Sequence, residues 1–226
     1  MIRSSPAPLA IDAVLFDLDG TLADTAGDLA QALNRVLADR GLDPLPLEQL
    51  RRHASAGARG LLGAGLGLGP EDAGFADARD AFLRHYEAGL TRTTRLFDDV
   101  ERVLAAIEDR GLSWGIVTNK AERYTGPVVL ALGLAHRAGT IVCGDTTPHA
   151  KPHPAPLLHA ASALRLPPSR CVYVGDDRRD VEAGNAAGMP TLVAGWGYLG
   201  NGGPPDDWPA NGWLDAPADL VGWLPG

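Results

Sequence analysis

Short apolar runs alternate with amphipathic segments along most of the chain, and this alternation predicts a fold class. Apolar runs bounded by turn-forming residues are typical of buried strands. Such runs predict strands at 13–16, 112–118, 140–143, 171–174 and 191–194. Helical periodicity predicts helices at 99–110, at 121–132, after the proline-rich stretch 148–156 and at 177–187. Repeated strand–helix units favour an α/β protein with a doubly wound parallel sheet and helices on both faces.

One segment interrupts this alternation, because its apolar positions follow helical spacing almost throughout. Its predicted helices run from about 25 to 40, from near 47, within 57–70 and from 71 to 90. Asp24 or Thr25 can cap the first of them. The glycine-rich stretch 57–70 lacks the G-K-[ST] of a phosphate loop, so a short helix and a loop are expected there.

The pattern therefore predicts two domains. An all-helical domain at 24–92 is inserted into a core made of residues 1–23 and 93–226. The stretch 195–213 is rich in Gly, Pro, Asp and Trp and is predicted to be a long loop. A last short helix is expected from Pro217.

The first predicted strand ends in a group of residues that suggests metal chemistry. Asp17 and Asp19 follow it at alternate positions, and Gly20 gives the backbone freedom to turn away. Ligands bind just past the carboxyl ends of strands in open α/β sheets. Two carboxylates this close repel each other unless a cation lies between them or one is protonated. A hard cation with oxygen ligands, most simply Mg²⁺, fits this pattern, although an Asp-rich turn would also fit an isolated D-x-D.

Three later sites also follow predicted strands or lie in loops. Thr118 ends a strand just before a helix and can cradle an anion or simply cap that helix. Lys151 lies next to Pro152 and can neutralise a phosphate, or it can be a solvated loop residue. Asp176 and Asp180 are four residues apart at a helix start, so they can face one point or cap the helix.

Composition narrows the class of protein further. A net charge of −8 argues against a nucleic-acid partner, so an anionic substrate would need local positive charge. Among 20 basic residues only Lys120 and Lys151 are lysines, which singles them out for a functional role or reflects biased codon supply. Two cysteines form neither a metal pattern nor a disulfide framework, which favours a reducing cytoplasm. No apolar stretch predicts a signal peptide or a membrane span.

The order of these motifs resembles the four motifs of the haloacid dehalogenase (HAD) superfamily of phosphohydrolases. They are D-x-D-G-T, then Thr after an apolar strand, then Lys-Pro, then G-D-x-x-x-D, and they span 17–180. The helical insert is similar to a class 1 cap on a Rossmann-like HAD core. The resemblance implies a Mg²⁺-dependent phosphatase in which Asp17 forms an aspartyl phosphate and Asp19 is the general acid and base.

The resemblance also assigns the remaining site residues. Phosphate or substrate binding is assigned to Gly20, Thr118, Asn119, Lys151 and Asp177. The metal ligands would be Asp17, the Asp19 carbonyl and Asp176, with Asp180 or Asp177 in support. Asp177 stands where Ser or Thr is commoner in the family, which leaves the division of roles between Asp177 and Asp180 open. Monomer and homodimer remain equally open, and the substrate is expected to be a small phosphomonoester.

Within the superfamily the sequence excludes some branches. Asp19 argues against dehalogenases, and the absence of lysine from 24–92 argues against the phosphonate hydrolases. β-Phosphoglucomutase-like enzymes and other sugar-phosphate phosphatases remain as alternatives, although the former usually have D-G-V where this chain has D-G-T. The stretches 55–59, 114–120 and 175–180 resemble those of phosphoglycolate phosphatases and N-acetylmuramic acid 6-phosphate phosphatases. The substrates of both carry a carboxylate that Arg59 or His53 could bind.

One alternative belongs to another class of protein. A non-catalytic phospho-acceptor module, such as a response-regulator receiver, also groups Asp, Thr and Lys around Mg²⁺. Such a module has no use for a long helical insert or for Asp19 as an internal acid. Stable phosphorylation without turnover would distinguish it from an enzyme.

Overall fold

The structure, a computed structural model, describes residues 8–200 and 205–226 of the chain. The predicted core segment 1–23 and the predicted loop 195–213 therefore extend in part outside the described residues. Within the described part of the chain, no helix is both long enough and apolar enough to cross a membrane.

A six-stranded parallel sheet forms the centre of the described chain. Its strands are β1 Ala13–Phe16, β4 Ser113–Val117, β5 Thr140–Val142, β6 Cys171–Gly175, β7 Thr191–Ala194 and β8 Gly212–Leu214. They lie in the order β5-β4-β1-β6-β7-β8, so β1 is hydrogen-bonded to both β4 and β6. This order, in which the chain crosses from β5 back over β1 to β6, is that of the predicted doubly wound sheet.

Helices cover both faces of the sheet. They are α5 Val100–Asp109, α6 Glu122–Ala131, α7 Ala155–Ala163 and α8 Arg178–Ala187. Val14 and Phe16 of β1 pack in one apolar cluster with α5 and α6, whereas Ala13 and Leu15 pack in another with α7 and α8. Strand side chains alternate between faces, so a strand buried on both sides must be apolar at every position. The apolar run 13–16 is therefore what the sheet requires.

The inserted segment forms a separate helical layer with its own apolar core. Its helices are α1 Ala26–Ala38, α2 Leu47–Leu50, α3 Gly57–Leu66 and α4 Phe75–Gly89, with a 3₁₀ helix at Arg51–Ala56. Leu33, Phe82 and Tyr86 are buried in this core. Helix α4 begins at Phe75 rather than near 71, because Gly74 has a left-handed φ of 87° that a continuing helix cannot include.

Two features of the fold are absent from the sequence analysis. Strands β2 Ala23–Asp24 and β3 Arg95–Leu96 pair antiparallel where the chain leaves the sheet and returns to it. Each has only two residues, which is too short for a sequence pattern. Strand β8 begins inside the stretch predicted as a loop and ends one residue beyond it. It was missed because a three-residue strand containing Gly212 has little strand character. The expected last helix is a 3₁₀ helix at Pro217–Trp223.

Candidate active site

The site lies where the three central strands end. Asp17, Thr118 and Asp176 directly follow the last residues of β1, β4 and β6 respectively. Because these strands are parallel neighbours, their carboxyl ends bring the three side chains to one edge of the sheet.

A cavity of about 430 Å³ separates this edge from the helical insert. The sheet side of its lining includes Asp17, Asp19, Thr118, Asn119, Lys120, Lys151, Asp177 and Asp180, and the insert side includes Ser55, Arg59, Arg79, Phe82 and Tyr86. Arg59 is exposed at its rim. His53 is not among the described residues that line it.

Lys151 is held at the floor of this cavity by a saturated set of partners. Its side chain is 2% exposed, and Nζ donates to Val117 O at 2.9 Å, to Tyr173 Oη at 2.7 Å and to Asp180 Oδ1 at 2.8 Å. Nζ also lies 2.9 Å from Asp17 Oδ1. Burial alone would lower the pKa of Lys151, but Asp17 and Asp180 raise it, so the ammonium stays charged.

Three buried carboxylates face one another beside Lys151. Oxygens of Asp17, Asp176 and Asp180 lie within 4.8 Å of one another. Burial and the neighbouring carboxylates raise the pKa of Asp17 to about 6, even though Lys151 lowers it. Burial, together with Asp17 and Asp180, raises the pKa of Asp176 well above its ordinary value. Three carboxylates with one ammonium leave an excess of two negative charges, which a divalent cation would balance.

Carboxylate oxygens are suitable ligands for Mg²⁺, but those of this cluster differ in how many hydrogen bonds they already accept. Asp176 accepts hydrogen bonds from Thr21 Oγ1 at 3.1 Å and from Tyr198 N at 2.7 Å, each to a different oxygen. Asp180 is more fully engaged, because Oδ1 accepts from Lys151 and Oδ2 accepts from Asp177 N at 3.0 Å. Asp180 therefore holds Lys151 in place whether or not it also contacts a metal.

Asp19 points away from this cluster and pairs with Lys120. Lys120 Nζ lies 2.9 Å from both Asp19 Oδ1 and Oδ2, and Thr25 Oγ1 donates to Oδ1 at 2.6 Å. The Thr25 side chain thereby orients Asp19. The sequence suggested that Thr25 caps α1, but its side chain makes no capping hydrogen bond. The Tyr198 hydroxyl takes that place, since it accepts from Thr25 N at 2.7 Å and Ala26 N at 2.9 Å.

Asn119 and Gly20, which were expected to bind phosphate, instead contact other residues of the protein. The Asn119 amide exchanges two 2.9 Å hydrogen bonds with the backbone N–H and C=O of Lys151, which fixes the lysine's backbone beside β4. Gly20 lies against Asp176 rather than in the cavity lining. A Cβ on Gly20 would lie 2.3 Å from Asp176 Oδ2, and its φ of 91° is left-handed, so the loop after β1 needs glycine here.

Asp177 joins the sheet to the helical insert. It caps α8 by accepting from Arg179 N at 2.9 Å, and it accepts from Ser55 Oγ at 2.5 Å. Arg179 also donates to Ser55 O at 2.8 Å. Burial raises the pKa of Asp177, but the hydrogen bonds and charge of Arg179 outweigh this and lower it to about 2.

Several residues of the site could not be assigned from the sequence. Tyr173 and Tyr198 belong to it through contacts over long sequence separations, and no local pattern marks them. Lys120 and Lys151 carried one signal, since they are the only lysines in the chain. The scarcity of lysine marks Lys120 but does not predict what it does. In the structure its ammonium forms an ion pair with Asp19.

Comparison with known proteins agrees with this geometry. The family model for haloacid dehalogenase-like hydrolases matches residues 14–194. The chain belongs to this family. The HAD-like α/β core and its helical insert are therefore shared family features, and the chain is a hydrolase.

Two curated relatives cover almost the whole chain. A phosphoglycolate phosphatase of Xanthomonas campestris pv. campestris is 43% identical over 214 residues, which is 94% of this chain and 95% of the relative. An N-acetylmuramic acid 6-phosphate phosphatase of Pseudomonas aeruginosa is 39% identical over 213 residues, with 94% of each covered. Relatives of this HAD hydrolase are thus named as phosphatases.

A solved structure has the same architecture. The crystal structure of a predicted phosphoglycolate phosphatase from Haemophilus somnus superposes with a TM-score of 0.82 at 26% identity. The match covers 95% of this chain and 98% of that one. Both the sheet and the insert of the HAD hydrolase therefore have counterparts there.

Proposed function

We propose that this HAD hydrolase is a Mg²⁺-dependent phosphatase that transfers the phosphoryl group to Asp17 and then to water. The observation that carries the proposal is the buried group of Asp17, Asp176 and Asp180 beside Lys151 at the strand ends. Asp17, Asp176 and the backbone carbonyl of Asp19 would hold the metal, with Asp180 or Asp177 in support. When bound, the cation would neutralise charge on the phosphoryl oxygens.

Asp17 is the proposed nucleophile because it combines exposure to the cavity with a fixed position. Against the effect of burial, Lys151 lowers the pKa of Asp17, which favours the ionised carboxylate that attack on phosphorus requires. Lys151 lies close enough to shield the attacking oxygen from the anionic phosphate. Thr118, buried at the end of β4 and lining the cavity, is placed to donate its hydroxyl to a phosphoryl oxygen.

Asp19 is the proposed general acid and base. Its carboxyl group lies two residues after the nucleophile, outside the metal cluster and on the cavity wall. In the first step it would protonate the departing ester oxygen, and in the second it would take a proton from water. The hydrogen bond from Thr25 fixes its orientation for both steps.

The helical insert is proposed as a cap with boundaries at 24 and 92. The pairing of Ala23–Asp24 with Arg95–Leu96 places both crossing points side by side, as a hinge requires. The cap supplies Arg59 and Arg79 to the cavity, so it is suited to binding a second anionic group on the substrate. Closure of the cap over the cavity would exclude water during transfer.

Phosphoglycolate is the first candidate substrate. It is a small phosphomonoester with a carboxylate, and a 43% identical relative is named for it. A second candidate, N-acetylmuramic acid 6-phosphate, is favoured by cavity size. Pockets of about 300–1,000 Å³ suit drug-sized ligands, so about 430 Å³ exceeds the needs of a two-carbon acid and suits a sugar phosphate.

Parallel steady-state kinetics with Mg²⁺ test this proposal and rank the two substrates. We expect kcat/KM for either phosphoglycolate or N-acetylmuramic acid 6-phosphate to exceed that for glycerol phosphate, which lacks a carboxylate, by at least tenfold. If N-acetylmuramic acid 6-phosphate is the preferred ester, Arg59→Ala should reduce that preference, whereas Arg52→Ala, at an exposed cap residue of the same charge, should not. Equal kcat/KM values for all esters would contradict recognition of a substrate carboxylate. Absence of hydrolysis would contradict the proposed phosphatase activity.

We also infer a cytoplasmic protein that acts as a monomer or homodimer. Cys143 and Cys171 are both free and buried, which suits a reducing compartment. Size-exclusion chromatography with light scattering would measure the oligomeric state directly.

A further inference from the structure

Lys120 occupies a position that the proposed reaction has not yet used. It lies in the turn between β4 and α6, and its side chain is 7% exposed. Its ammonium is 5.0 Å from the centroid of the Tyr86 ring, so it bridges the sheet edge and the cap. Lys120 also lines the cavity.

The two lysines differ in the acceptors that surround them. Lys151 Nζ donates three hydrogen bonds to three different groups, which uses all its N–H donors. Lys120 Nζ donates to both oxygens of one carboxylate, that of Asp19, and its remaining side-chain contact among the described residues is with Tyr86. Because Tyr86 also lines the cavity, a substrate carboxylate in the cavity can take the place of that neutral partner.

The short distance between Asp19 and Lys120 limits which group of the substrate can accept a hydrogen bond from Lys120. If Asp19 protonates the leaving oxygen, that oxygen lies about 2.6–3.2 Å from the Asp19 carboxyl group. Lys120 Nζ is 2.9 Å from the same carboxyl group, so it lies within a few ångströms of the ester oxygen. In a 2-phosphoryloxy acid a single carbon joins the ester oxygen to the carboxylate. In a muramic acid 6-phosphate the sugar ring separates them.

We propose that Lys120 binds a substrate carboxylate attached one carbon from the ester oxygen. This inference rests on the proposed function, because it uses Asp19 as the group that meets the leaving oxygen. It assigns the two kinds of carboxylate to different cations: Lys120 for one next to the reacting ester, and the cap arginines for one across a sugar ring. The substrate class that engages Lys120 is thus a 2-phosphoryloxy carboxylate.

The test crosses one enzyme substitution with one substrate change. Phosphoglycolate is compared with 2-hydroxyethyl phosphate, in which a neutral CH₂OH replaces the carboxylate. Wild-type enzyme should prefer phosphoglycolate in kcat/KM, and Lys120→Met should reduce that preference about 10- to 100-fold. Lys120→Arg, which keeps the charge, should retain part of it. Arg123→Met removes an exposed charge from α6 outside the cavity lining and should leave it unchanged.

A positioning role for Lys120 gives a different result. If Lys120 only orients Asp19, Lys120→Met lowers kcat for both esters by the same factor, and the inference is overturned. A wild-type enzyme that hydrolyses both esters without preference also overturns it and leaves the phosphatase proposal standing. If Lys120→Met fails to fold, as judged by circular dichroism, the wild-type comparison can still overturn the inference, and the partial loss of preference expected for Lys120→Arg tests the lysine itself. Failure to hydrolyse either ester overturns both proposals.

Discussion

At the scale of single residues, the site holds an imbalance of charge in a buried space. Asp17, Asp176 and Asp180 share one ammonium, that of Lys151. Such a cluster destabilises the fold unless protons or a cation neutralise it. The raised pKa of Asp17 and that of Asp176 express the same imbalance, since burial and mutual repulsion both favour the protonated forms.

A divalent cation should therefore stabilise the protein as well as activate it. At 100 times its dissociation constant a ligand adds about 2.7 kcal/mol, so Mg²⁺ should raise the Tm of EDTA-treated protein by about 5–10 °C. Asp176→Asn removes one carboxylate and should abolish this shift without lowering the Tm of the metal-free protein. Asp109→Asn, an exposed control, should keep the shift. A Tm of wild-type protein that does not respond to Mg²⁺ would argue against the metal site.

At the scale of elements, the hydroxyl of one tyrosine connects a loop of the core with the first helix of the insert. Tyr198 is buried, and its hydroxyl accepts the hydrogen bonds of the first N–H groups of α1. These groups would otherwise lack partners at a buried helix end. Its own N–H donates to Asp176, so the same residue contacts the carboxylate cluster.

Removal of the Tyr198 hydroxyl should destabilise the fold. Tyr198→Phe leaves two buried N–H groups without an acceptor, which should lower the free energy of unfolding by about 1–2 kcal/mol. Urea denaturation measures this. Tyr124→Phe is the matched control, because the Tyr124 hydroxyl has no hydrogen-bond partner among the described residues. Equal losses from the two substitutions would contradict the capping role.

Helices and strands could be predicted where several adjacent residues form a hydrophobic pattern. The strands that carry Asp17, Thr118 and Asp176 are apolar runs followed by polar residues, and such runs can be read directly. Strands β2 and β3 could not be read, because two residues show no periodicity. Tyr198 gave no signal either, since it caps a helix more than 170 residues away in sequence.

At the scale of the whole molecule, polar contacts join the cap to the core beside the apolar packing of Tyr124 and Tyr198 against the cap. Ser55 of the cap is bound on both sides, by Asp177 through its hydroxyl and by Arg179 through its carbonyl oxygen. The family resemblance predicted a cap and a core, but not which residues join them. Asp177 was expected to bind phosphate or metal, and its carboxylate is occupied by Ser55 and Arg179.

Weakening this contact should loosen the cap without unfolding the core. Arg179→Met removes the hydrogen bond to Ser55 O and should speed amide hydrogen exchange in 51–66 about tenfold, because one lost charge-assisted bond is worth about 1.4 kcal/mol or more. Exchange in β1, β4 and β6 should not change. Arg178→Met alters a neighbouring arginine that pairs with Glu182 within α8 and serves as the control. Unchanged exchange in the cap would show that other contacts hold it closed.

The most direct test of the central claim is to trap the phosphoryl group on Asp17. Asp19→Asn should still react with p-nitrophenyl phosphate, because nitrophenolate leaves without a proton, but it should activate water poorly in the second step. Acid quenching followed by proteolysis and mass spectrometry locates the phosphoryl group. The account predicts a stoichiometric burst of nitrophenol and a phosphoryl group on Asp17, both absent from Asp17→Asn. A phosphoryl group on another residue, or turnover by Asp17→Asn, would contradict it.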